Sequence, residues 1–210
     1  MKDFSTQLPR RFLDIQDKTR SNIFAWRGQF SPQLVQYLLE AYCPSDAVVL
    51  DPFVGSGTIL HEAARMGLQA YGYEINPAAW IFSKTYEFAN VERNERKRYI
   101  QELRRRIDAE FPIAVFSGEQ LSDHQIEQKV IAIGDTVSDR AKILLNALII
   151  LLDLANNKVT NDLVQSRFFA LSKLVENLPH SERLIKAELR DARSLPLSDG
   201  SADFVITSPP

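Results

Sequence analysis

The first ninety residues predict an α/β fold with a parallel sheet, and three observations carry the prediction. A short apolar run, residues 47–50, passes into a glycine turn, "DPFVGSGT" (51–58), and then into a helical stretch. A second apolar run, 68–75, follows directly. It leads into another helical stretch that opens on Pro77. Strand, glycine turn, helix, strand, helix is a βαβα order, which implies parallel strands with helices on the sheet faces.

Each element has a local reason. In "PQLVQYLLEAY" (32–42), Leu34, Tyr37, Leu38, Ala41 and Tyr42 recur at helical spacing, with Ser31 as N-cap and Pro32 at the first helical position. "AVVL" (47–50) is short and apolar after Pro44-Ser45-Asp46, as a buried strand should be. The helical stretch "ILHEAARMG" ends on Gly67 as its C-cap. "LQAYGYEI" (68–75) is a second strand, and "PAAWIFSKTYEFA" (77–89) a second helix. Beyond it, four helices are expected over about 91–110, 120–131, 137–155 and 160–178. A connection of that length inside a sheet domain must carry its own structure. The last residues, "DFVITSPP" (203–210), read as a buried strand entering a rigid Ser-Pro-Pro turn.

Composition narrows the function classes. A formal net charge of −2 gives no global attraction to nucleic acid, so such contact must come from a local patch. Cys43 is the one cysteine, which excludes an internal disulfide framework and fits a reducing cytosol. It reads as a small buried hydrophobe rather than a nucleophile. The first residues lack the apolar centre of a signal peptide. The most apolar run, 143–154, is interrupted by Asn146 and Asp153 and is too short to span a bilayer. A cytoplasmic protein without membrane association is expected. His61, His124 and His180 are scattered, and no His/Cys cluster suggests a metal.

The glycine turn lies where a strand enters its helix, at the carboxyl edge of the expected sheet, the ligand-binding edge of such folds. Gly55 and Gly57 let the backbone bend sharply and a ligand approach closely. Asp51 can accept hydrogen bonds from an ammonium group, and Thr58 can cap or bond at the helix start. At the end of the second strand Glu74 is placed to take both hydroxyls of a ribose. The pattern is neither the three-glycine dinucleotide fingerprint nor a phosphate-binding P-loop, and an acid at the strand end would repel a pyrophosphate. It suits a ligand with a cationic amino-acid end and a nucleoside end.

"DPFVGSGT" resembles the cofactor-binding motif of the S-adenosylmethionine-dependent amino-methyltransferases of DNA. "YGYEINP" resembles their next motif, whose acid holds the cofactor ribose. "RDARSLPL" (190–197) resembles a third, in which an Asp meets the adenine amino group. "TSPP" resembles the catalytic motif, and "IFAWRGQFSPQL" (23–34) the segment that closes over the methionine end. The resemblance implies a Rossmann-like class I methyltransferase core, incomplete at the C-terminus, over 1–90 and 184–210, with an all-helical insertion over 91–183. It implies S-adenosyl-L-methionine held by Phe30, Asp51, Pro52, Phe53, Gly55, Gly57, Thr58, Glu74, Ile75, Asp191 and Ala192, with Ser208, Pro209 and Pro210 catalytic and no metal.

The implied reaction methylates an exocyclic base amine in DNA, with cytosine N4 favoured over adenine N6 because the motif opens on Ser rather than Asp. Ser208 and the Pro209 carbonyl would each take one amino proton and free the nitrogen lone pair, their acceptors aimed by fixed proline φ angles. The target base must leave the stack. In the family an aromatic residue follows Pro-Pro. The expectation is therefore that the chain is the amino-terminal part of a longer or split enzyme, with a C-terminal half or second polypeptide as partner. An RNA base amino-methyltransferase and a non-catalytic cofactor-binding subunit are the alternatives. The segment 92–106, rich in Arg and Lys, is either a phosphate-contacting face or a solvated helix in which Glu92, Glu95 and Glu102 pair locally. The apolar stretch 141–154 is most simply the core of the helical part, with a partner face as the other reading.

Overall fold

The computed structural model describes residues 9, 10, 24, 30–113, 120–155 and 158–208. They form two compact units. One comprises the described residues up to Asn90 with those from Leu178 onward, and the other runs from Val91 to Asn177.

The first unit is a Rossmann-like α/β domain. Helix α1 (Pro32–Tyr42) precedes strand β1 (Val48–Asp51). Helix α2 (Thr58–Arg65) crosses from β1 to β2 (Gln69–Glu74), and helix α3 (Pro77–Thr85) follows β2. Strands β3 (Ile185–Leu189) and β4 (Phe204–Val205) come after the second unit. The sheet order is β3-β2-β1-β4 and every neighbouring pair is parallel. Val49, Ala70 and Ala187 are fully buried in adjacent strands, and α2 covers the sheet with Ile59, Leu60, Ala63 and Ala64. Burying such an Ile or Leu side chain contributes about 1.5–3 kcal/mol.

Strands β1 to β3 are laid down in one direction, and β4 then returns to the far side of β1. In open α/β sheets ligands bind outside the carboxyl ends of the strands where the order reverses. Here those ends are Asp51 and the Ile206–Ser208 segment, joined by the bond from Ile206 N–H to the Leu50 carbonyl (3.1 Å).

Local departures from the expected elements have physical causes. The Ser31 hydroxyl donates to Gln33 Oε1 and leaves the α1 backbone uncapped. Helix α3 ends at Thr85 and tightens into a 3-10 turn, Tyr86–Asn90. Ser83 and Thr85 bond back to the Trp80 and Ile81 carbonyls, a habit that bends helices. The Asn90 side chain then fixes the exit by donating to the Ser181 and Arg183 carbonyls and accepting from Ile185 N–H. Gly67 takes φ +67 just beyond α2 and closes that helix as expected.

The second unit holds helices α4 (Arg93–Glu110), α5 (Asp123–Gly134), α6 (Asp139–Asp153) and α7 (Asn161–Glu176). Ser122, Ser138 and Thr160 cap the last three, Ser122 with Gln125 as a capping box. Helix α6 buries Ala141, Leu144, Leu145, Ala147, Leu148, Leu151 and Leu152, so its apolar stripe is interior packing. Glu102 bonds Ser138 N–H and Oγ rather than a neighbouring base, whereas Glu95 pairs with Arg98. Arg96 is buried and donates to the Val91 carbonyl.

Candidate functional site

The site is assembled at the carboxyl edge of the sheet. Asp51 is 3 % exposed, and its Oδ1 accepts from Phe53 N–H (3.1 Å) and from the Thr207 hydroxyl (2.6 Å). Burial pushes this carboxyl up to about 6, against the downward pull of the Thr207 and Phe53 bonds, and the Glu74 carboxylate adds to the rise. Among the described residues nothing donates to Oδ2.

The loop after Asp51 folds back onto β2. Val54 N–H donates to the Tyr73 carbonyl (2.9 Å), and Gly57 N–H to the Val54 carbonyl (3.0 Å). The Val54 side chain rests on Gly72, where an added Cβ would stand 2.6 Å from Cγ2. Gly55 (φ +54) and Gly57 (φ +95) take left-handed conformations, and Gly57 occupies the N-cap of α2. Thr58 is therefore the first helical residue, buried, rather than the cap. Pro52 is half-buried at the bend.

Glu74 ends β2. Its Oε1 accepts from Ile75 and Asn76 N–H, and its Oε2 from Gly55 N–H, each at 2.9 Å. A carboxylate has about four lone-pair sites, so one remains for an incoming hydroxyl. Asn76 caps α3 through Ala78 and Ala79 N–H. Phe53, two residues after Asp51, and Ile75, directly after Glu74, are exposed apolar groups (39 % and 67 %).

Asp191 lies two residues beyond β3, and Arg190 N–H bonds the Glu74 carbonyl, which draws the ends of β2 and β3 together. The Asp191 carboxylate is gripped by the Arg193 side chain and accepts Arg193 N–H. Those bonds hold it near 2, well below the ordinary aspartate value. Ala192 is half-buried beside it, and Phe30 is half-buried just ahead of α1. Ser208 is exposed, one residue past Thr207. Pro209, Pro210 and Trp26–Gly28 lie outside the described residues.

Two residues of the site escape sequence reasoning. Thr207 is tied to Asp51 across 156 positions, and only its place in "TSPP" hints at it. Gly72 could have been found as a glycine inside a strand, a pattern that marks close backbone approach. Phe24, from the segment before α1, stacks on Phe82 (4.4 Å between centroids) in the core. His61 lies against the Tyr86 ring, with Nδ1 3.2 Å from the buried Glu62, which also pairs with Arg65. Among the described residues no group of three or more His, Cys, Asp or Glu side chains could hold a metal ion. None of the described helices is long and apolar enough to cross a membrane.

A parallel Rossmann-like sheet with an acidic strand end, a left-handed glycine loop and a second strand-end acid fits the methyltransferase type of α/β fold. A family model described as DNA methylase matches residues 9–84. A type II methyltransferase of Methanocaldococcus jannaschii is 40 % identical over 55 residues, covering 26 % of this chain and 10 % of that protein. A type II methyltransferase of Streptomyces caespitosus is 43 % identical over 48 residues, covering 23 % of this chain and 16 % of that protein. The alignments thus take in about a tenth and a sixth of those relatives' lengths. No solved structure matches significantly. Over residues 9–84 the chain is accordingly similar to DNA methyltransferases of the adenine-N6/cytosine-N4 class.

Proposed function

We propose that the chain carries the cofactor site and the start of the catalytic loop of an S-adenosyl-L-methionine-dependent DNA amino-methyltransferase, with cytosine N4 as the favoured target. The observation that carries this reading is the Thr207–Asp51 bond, which makes Ser208 the direct neighbour of the residue tied to the buried acid at the strand-order reversal. The donor set fits the cofactor. Asp51 offers Oδ2 to the ammonium, Glu74 has an acceptor site left for the ribose, Phe53 and Ile75 are apolar faces for adenine, and Asp191 would meet the adenine amino group. When bound, the cofactor supplies a methyl group activated on a sulfonium sulfur. Ser208 and the Pro209 carbonyl would hold the two protons of the base amine and turn its lone pair toward that methyl. On this reading residues 91–177 are a helical insertion in the core.

Asp51→Asn tests the cofactor site with a distinctive pair of signs. The raised carboxyl of the folded chain favours the protonated form, so its contribution to stability is greatest below pH 3.8 and declines as pH rises through about 6. At pH 7 the buried charge costs at most about 3 kcal/mol. The amide keeps an acceptor for Phe53 and Thr207, so the variant should melt higher at pH 7 while showing little gain at pH 4. Calorimetry should show the unaltered chain binding S-adenosylmethionine and the variant binding at least about tenfold more weakly, a loss of roughly 1.4 kcal/mol. Absent binding, or binding indifferent to Asp51→Asn, overturns the reading.

The DNA partner is proposed to meet the basic side of α4. Arg104 is not available: it packs over the Phe168 ring (4.5 Å) and bonds Gln165 Oε1 (3.1 Å) beside Asp108. Arg105 and Arg106 are exposed and, among the described residues, have no acidic partner. Charge reversal of both should weaken duplex binding at low salt and flatten the salt slope by about one per lost phosphate contact. An unchanged slope would leave α4 a solvated helix.

A further inference from the structure

We propose that Thr207 is a positioning residue that couples the two ends of the site, fixing Asp51 for the cofactor and the start of the Ser208 loop with one hydrogen bond. This rests on the function proposed above. The β1–β4 ladder ends at the pair Leu50↔Val205 and the bond from Ile206 N–H to the Leu50 carbonyl. One residue further on, the Thr207 side chain takes over from the backbone and reaches Asp51 Oδ1 at 2.6 Å. A carboxylate only accepts, so against ionised Asp51 the hydroxyl must donate, and the short distance is that of a charge-assisted bond. With Phe53 N–H on the same oxygen, Oδ1 is committed and Oδ2 is left as the acceptor for a ligand. Threonine suits the task because its branched Cβ restricts χ1, so the hydroxyl is aimed in advance. The groups facing the carboxyl are the Thr207 hydroxyl beyond β4, Phe53 N–H on its own loop and the Glu74 carboxylate on β2. Of these Thr207 gives the stronger favourable contribution to the ionised form.

The experiment uses the full chain and two variants. Thr207→Val keeps the branched shape and removes the hydroxyl, and Thr207→Ser keeps the hydroxyl. Carbon-13 carboxyl NMR without ligand follows the Asp51 titration, whose midpoint is expected at about 6 in the unaltered chain. Calorimetry with S-adenosylmethionine at pH 7 follows the coupling to the ligand. In Thr207→Val the midpoint should move up and the dissociation constant should rise about tenfold, as expected for losing a hydrogen bond to a charged group. Thr207→Ser should restore both. A folded Thr207→Val with the unaltered midpoint and affinity overturns the coupling, and so does a Thr207→Ser that resembles the valine variant. If the unaltered chain binds no cofactor, the proposed function fails and the ligand half of the inference falls with it. The NMR midpoint still decides separately whether Thr207 sets the state of Asp51.

Discussion

Gly57→Ala is expected to cost the first unit a large share of its stability. The backbone at Gly57 holds φ +95, where an L side chain is strained by about 1–2 kcal/mol. The new Cβ would stand 2.6 Å from Tyr86 Cδ2, 2.9 Å from Tyr86 Cε2 and 2.8 Å from Ser83 Cα. The Tyr86 ring is itself buried, and Ser83 Cα is backbone of α3, so neither can yield without moving the element beneath the loop. Overpacking of that kind adds about 1–3 kcal/mol. Together the two terms come to about 2–5 kcal/mol, a large share of the 5–15 kcal/mol that holds a domain folded. Urea unfolding measures it, and Gly67→Ala is the control. Gly67 also has positive φ (+67), but its Cβ would meet nothing within 4 Å, so only the backbone strain should appear. Equal losses in the two variants would mean that the packing against Tyr86 and Ser83 contributes nothing.

The contrast between those glycines explains what could be read from the sequence. The βαβα order and the turn chemistry are local: apolar runs of strand length, glycines at the bend, prolines at the first position of α1 and α3. Each is visible within about ten residues of the element it shapes, and the parallel sheet follows from their order. The helical boundaries in the second unit moved by a few residues because caps decide them, and Ser122, Ser138 and Thr160 were competing with neighbouring polar residues. What stayed hidden is long-range. Nothing near Thr207 announces Asp51, and nothing near Gly57 announces Tyr86. The charge of Arg104 looked available for DNA until Phe168 and Gln165, more than sixty positions on, were placed against it. Likewise Glu74 read as an acid waiting for a ribose, whereas the folded chain already fills most of its acceptor capacity with backbone N–H groups.

That filling makes Glu74→Gln the most informative change on the ligand side. The carboxylate organises two segments at once: Oε1 gathers Ile75 and Asn76 N–H at the start of α3, and Oε2 holds Gly55 N–H in the glycine loop. Glutamine has the same shape but replaces one oxygen by a donor. If its oxygen takes the Oε1 position, the amide NH2 faces Gly55 N–H. If it takes the other, the NH2 faces two N–H groups. Either orientation loses at least one charge-assisted bond and sets donor against donor, a penalty of about 2–3 kcal/mol. The loop is the part free to give way, because Asn76 independently caps α3. The dissociation constant for S-adenosylmethionine should therefore rise roughly 30- to 150-fold, and the Gly55 amide should lose protection from hydrogen exchange while the strand amides of β2 keep theirs. Glu74→Asp, which keeps both oxygens on a shorter stem, should retain the Ile75 and Asn76 bonds and lose that to Gly55, giving an intermediate affinity. A glutamine variant that binds as tightly as the unaltered chain, with Gly55 still protected, would show that the acid neither holds the loop nor meets the ligand.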